Sequence, residues 1–148
     1  MNGQTSEPPV LAEPTQDERA YAGLAHALMI PTWWIAPLII FLIKRESRFV
    51  KFHALQALFW QIIFTCLYVA GMVVLLAGMF ATMPQGKTAP PSDFPFAIFG
   101  AFMIYWLVMM GGVVVSFILG IVYCLKAMRG EWAGYPLIGR WAKRISGA

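Results

Sequence analysis

The chain has 148 residues, enough for one domain, but 59% of them are hydrophobic and only 12% charged, with a mean hydropathy of +0.67. That balance excludes a soluble core under a wetted surface and defines an integral membrane protein. The formal net charge of +4 sits in basic residues that flank apolar runs rather than forming a separate basic face, so the expected partner is lipid headgroup, not nucleic acid.

Residues 1–16 contain Pro8, Pro9 and Pro14 and almost no large apolar side chain, so they are expected to be disordered unless a partner binds them. No cationic start followed by a short apolar core is present, and a cleaved signal peptide is not expected. From 17 to 148 the pattern predicts a single helical membrane domain. Asp17, Glu18 and Arg19 open an apolar run at about 20–43, with the acidic pair suited to a helix N-terminus. Pro31 and Pro37 interrupt this run. Its full length crosses a hydrocarbon core of about 30 Å, whereas either half alone is too short. The run is read as one Pro-kinked crossing, with a re-entrant first span as the alternative.

Lys44, Arg45, Arg48 and Lys51 follow, packed between apolar segments where the cytoplasmic headgroup region accommodates them best. The next run, about 54–80, has no charge and no proline and is the cleanest span. Residues 81–94 carry Pro84, Gly86, Pro90, Pro91 and Asp93, turn chemistry that belongs in solvent. A third span at about 95–125 exceeds the bilayer's need and is expected to tilt.

The tail from 126 alternates aromatic anchors Trp132, Tyr135 and Trp141 with Arg129, Arg140, Lys143 and Arg144. If residues 137–147 are helical, Leu137, Trp141 and Ile145 share one face, and Arg140, Lys143, Arg144 and Gly147 the other. That is an interfacial amphipathic helix. The overall expectation is an all-α, multi-pass protein of the inner (plasma) membrane, with about three transmembrane helices and a cytoplasmic C-terminus.

Two constellations are candidates for function. Gly112, Ser116, Gly120 and Cys124 recur every fourth residue, a strip of small side chains for close helix packing, within the chain or against another subunit. His53, Gln56 and Gln61 give the second span a polar edge that could meet a client chain or ligand. His53 is also where a haem or pigment would be ligated, although no cofactor is expected. His26 reaches His53 only if the first run folds back. Cys66 and Cys124 lie inside apolar runs and indicate neither disulfide nor metal site. Glu46 and Glu131 are expected to pair with neighbouring cations. Phosphate loops, metalloprotease helices and serine elbows are absent, and no predicted span contains Asp, Glu, Lys or Arg, so no enzyme is expected.

The block from Ser47 to Leu58, with Arg48, Phe49, Phe52, His53, Gln56 and Ala57, resembles the Tic-twenty-like family. Asp17, Glu18, Arg19, Ala25 and His26, Pro37 to Ile40 before Lys44 and Arg45, and Ala127, Arg129, Gly130 and Glu131 before Tyr135, Pro136 and Leu137 extend that resemblance to its bacterial branch. It implies a small helical membrane component, with translocation implied only for the plastid branch. The expected function is therefore a non-catalytic translocon-like or assembly component. The alternative is a structural accessory subunit of a larger membrane complex, of the energy-transducing or photosynthetic kind.

Overall fold

The computed structural model describes residues 13–82, 96–136 and 138–147; the expectations for most of the N-terminal tail and for residues 83–94 of the expected 81–94 loop fall outside them, while residues 81 and 82 of that loop are still helical. The described residues form five helices and no strand: α1 (Gln16–Thr32), α2 (Ile35–Ile43), α3 (Arg48–Thr82), α4 (Phe96–Met128) and α5 (Gly139–Ser146). Only α3 and α4 are long and apolar enough to cross a membrane.

The first apolar run does not cross as one kinked helix. Thr15 starts α1 with a reciprocal cap, its backbone N–H donating to Glu18 Oε2 at 2.8 Å and its hydroxyl accepting from the Glu18 N–H at 3.3 Å. The helix stops where Trp33 takes a positive φ of 60°, uncommon for a side chain this large. Pro31 weakens the preceding turn by removing a donor, and the Thr32 hydroxyl bridges the break, donating to Leu28 O at 2.6 Å and accepting from the Ala36 N–H at 3.3 Å. α2 then runs back. Lys44 at its end places Nζ 4.3 Å from the centre of the Tyr21 ring near the start of α1. The run is a helical hairpin whose two ends meet, not one kinked helix. Its tip is tied to α3 by Trp33 Nε1–H donating to Thr65 Oγ1 at 2.7 Å.

The basic stretch is helical from Arg48, earlier than its charge suggests, because Ser47 Oγ accepts from the Val50 N–H at 3.2 Å and caps α3. At 35 residues α3 is roughly 50 Å long, well beyond the bilayer core. Its two halves have different surroundings. From Ile62 onward α3 exposes Leu67, Val73 and Val74, and the facing half of α4 exposes Ile104, Leu107 and Val114, as helices bathed in lipid do. Before Ile62, residues 52–58 are all buried, wrapped by α1, α2, α5 and the chain between α4 and α5. Ala25, Ile40, Val50 and Ala54 pack α1 and α2 on α3, and Ala22, Phe49 and Ala127 join α1, α3 and α4.

The start of α1 also meets the end of α2 electrostatically. The Ser47 hydroxyl, then the Thr15 amide, hold the Glu18 carboxyl below its usual range, and Lys44 adds to this. A carboxylate whose folded pKa is depressed stabilises the fold above its unfolded pKa and loses that contribution as pH falls through the depressed value. Thr15→Ala should therefore cost about 1 kcal/mol and speed amide exchange in the first turn of α1. Glu18→Gln should flatten the acid limb of a melting-temperature profile below about pH 4.5. An unchanged acid limb would remove Glu18 from that role.

A buried histidine clasp and its cationic rim

After α4 the chain leaves helical geometry, and its backbone groups need partners because they run through the interior. The polar edge of α3 supplies them. His53 Nε2 lies 3.1 Å from Glu131 O. Gln56 Nε2 donates to Ala133 O at 3.4 Å, and Gln56 Oε1 accepts from the Tyr135 N–H at 2.6 Å. The Tyr123 hydroxyl of α4 donates to Gly134 O at 3.0 Å. Trp132 packs edge-on to Phe49 with ring centres 5.1 Å apart, and Tyr135 packs edge-on to Tyr123 at 4.2 Å. His53 and Gln56 thus clasp residues 131–135 much as a neighbouring strand would.

Because the hairpin folds back, His26 joins the clasp. Its Nε2 lies 3.0 Å from His53 Nδ1, and its Nδ1 3.0 Å from the Tyr135 hydroxyl. Protonation follows from the far end of this chain. A carbonyl only accepts, so His53 carries its proton on Nε2 and donates to Glu131 O. Its Nδ1 then accepts from His26 Nε2–H, and His26 Nδ1 accepts from the Tyr135 hydroxyl. Burial pushes the Tyr135 hydroxyl far above its usual range, so it stays a donor. The three side chains form one neutral, unidirectional relay. Below it Gln61 Nε2 donates to Met29 O at 2.8 Å. Among the described residues no buried side-chain nitrogen or oxygen lacks a partner.

This placement bears on each candidate. His53 and Gln56 come together as fully buried groups of the clasp, while Gln61 lies further along α3, bonded to Met29 and lining a separate pocket. Ligation of a haem or pigment by His53 would require breaking one of the bonds that occupy both its ring nitrogens. Among the described residues no three His, Cys, Asp or Glu cluster as a metal site. The α4 strip meets its own chain. Gly112 sits under the Phe64 ring, Ser116 Oγ accepts from Trp60 Nε1–H at 2.8 Å, and Gly120 backs onto Ile30 and the His26 carbonyl. Cys124 faces Gly23. The tail departs from the anchor pattern, since Tyr135 is buried and Trp132 half-buried; of the three aromatics only Trp141, 69% exposed, faces outward. α5 has three faces rather than two, with Gly139, Ala142 and Ser146 against the protein. Leu137 lies outside the described residues.

The cations gather at the clasp end. Arg45 Nε–H donates to Leu42 O at 3.2 Å, while Arg48, Lys51, Arg140, Lys143 and Arg144 have no acidic partner among the described residues. Among the described residues neither Glu46 nor Glu131 makes the expected ion pair, and the pair formed is Arg19 with Glu13 at 3.8 Å. Sequence reasoning missed Tyr135. The available signal was a Tyr between Gly134 and Pro136, an awkward place for a headgroup anchor.

Two long apolar helices, a helical hairpin and a polar interior used up by the chain's own backbone define a helical integral membrane protein. The family model for magnetosome magnetite crystal formation proteins, MamF/MmsF, matches residues 17–142, which is nearly the whole helical body. The chain belongs to that family. This overturns the Tic-twenty-like resemblance: a cation, aromatic and amide block at a helix start reflects the demands of the membrane margin, and here its His and Gln serve an internal clasp. No curated protein and no solved structure matches the chain.

Proposed function

We propose that the protein is a non-catalytic, resident component of the magnetosome membrane that takes part in magnetite crystal formation as an accessory subunit beside other membrane proteins. The observation that carries this reading is the family match from α1 through α4 and into the first half of α5. The clasp supports it, because its His, Gln and Tyr side chains are committed to holding the fold. The cationic end, with the C-terminus, faces the cytosol, where positive charge flanking spans is retained. Thr82 and Phe96, at the other ends of α3 and α4, then face the vesicle lumen in which the crystal grows.

The test is deletion of the gene in its host, followed by electron microscopy of the magnetosomes. Crystals of altered number, size or shape inside vesicles that still form, restored by the wild-type gene, are expected. Normal crystals, or loss of the vesicles themselves, would overturn the reading.

A further inference from the structure

Beside the clasp lies an apolar groove that the described residues do not fill. It has a volume of about 350 Å³ and is lined by Phe59, Ile62 and Ile63 of α3 with Ile138 and Trp141 of the α5 segment. That volume falls in the range of small-ligand sites, yet the lining offers no charged side chain and suits a hydrocarbon chain. Its rim is different. Lys51, Leu55, Phe59 and Ile62 follow one another at helical spacing, so a single face of α3 runs from a cation down into the groove. Ala142 packs α5 onto Phe52 and Leu55 of that helix. Arg140 precedes Trp141 and Arg144 lies one turn beyond it, and both are exposed and free of acidic partners among the described residues.

An apolar slot opening under unpaired cations at a membrane margin complements one kind of molecule. We propose that this groove is a binding site for an anionic glycerophospholipid, with an acyl chain against Phe59, Ile62, Ile63, Ile138 and Trp141 and the phosphate held by Arg140 and Arg144, with Lys51 nearby. A second copy of the chain is disfavoured as occupant, because a symmetric contact would bring the same cations face to face. The site requires only that the chain lie in a membrane, so it stands or falls separately from any role in crystal formation.

Bromolipid quenching of tryptophan fluorescence tests it. The full chain is reconstituted in phosphatidylcholine vesicles containing either dibrominated phosphatidylglycerol or dibrominated phosphatidylcholine. Of the six tryptophans, the contribution of Trp141 is taken as the difference between wild type and Trp141→Phe. Trp141 should be quenched by the anionic lipid with a roughly five- to thirty-fold preference, the factor that one or two cations supply at an anionic surface. Arg140→Gln with Arg144→Gln should bring that preference to about one, and Arg140→Lys with Arg144→Lys should keep most of it. Equal quenching by the two lipids in wild type would mean unselective boundary lipid and overturn the site. No quenching of Trp141 by either would mean that protein covers the groove, and selectivity surviving in the glutamine pair would place the headgroup elsewhere; both overturn it.

Discussion

His53→Ala is expected to destabilise the purified protein by about 2–5 kcal/mol, the combined effect of orphaned polar groups and a cavity. Three losses coincide in this substitution. The Glu131 carbonyl and the His26 Nε2–H lose their partners, and a fully buried ring is removed from between Phe49 and Phe52. Thermal unfolding in detergent, followed by far-ultraviolet circular dichroism, gives the size of the effect. Amide exchange gives its location, with residues 131–135 opening first because their backbone relies on the clasp. The relay also predicts non-additivity. His26→Ala combined with His53→Ala should cost less than the two single changes summed, by about 0.5–3 kcal/mol, since either one already breaks the chain of donors. Additive effects would mean that the two rings do not act as one unit. A melting curve unchanged in His53→Ala would remove the clasp from the account of stability altogether.

Gly120→Leu is the second large expected effect, a loss of about 3 kcal/mol. A methyl group at Gly120 would already stand 3.0 Å from Ile30 Cδ1 and 3.2 Å from the His26 carbonyl oxygen. The second of these is the backbone of α1 and cannot turn aside as a side chain can. A leucine there forces α1 and α4 apart, and with them the His26 end of the relay. Gly111 is the internal control, because a methyl group at that residue, nine positions earlier in the same helix, meets nothing within 4 Å. Gly111→Leu should therefore stay within about 0.5 kcal/mol of wild type, or gain slightly from better helix propensity. If the two leucine variants melt alike, the packing of α1 on α4 contributes nothing at Gly120.

The two substitutions also separate what was readable in the chain from what was not. α3 and α4 follow from uninterrupted hydropathy, and each was found within a few residues at its apolar end. The earlier start of α3 escaped because Ser47 supplies a cap and the cations that follow reach water by their side chains while the backbone remains helical. The small-residue strip of α4 is likewise visible in the spacing of Gly112, Ser116, Gly120 and Cys124. Its occupant is not visible, since Ile30, Trp60 and Phe64 come from elements whose approach depends on the turn at Trp33.

Hydropathy and charge are local sums, and they made this a membrane protein with two long spans and its cations gathered between and after apolar runs. Pro31 and Pro37 marked the first run as interrupted, yet a kink and a reversal use the same residues. The difference lies in the positive φ at Trp33 and the bond from its indole to Thr65, 32 residues away. Once α2 turns back, His26 comes within hydrogen-bond distance of His53, and Tyr135, 109 residues further along the chain, closes the relay. What had read as a polar edge open to a client became the inner lining of the fold. Such partners are chosen by burial, which leaves a polar group whatever complementary group the packing brings to it, and no spacing along one helix encodes that choice.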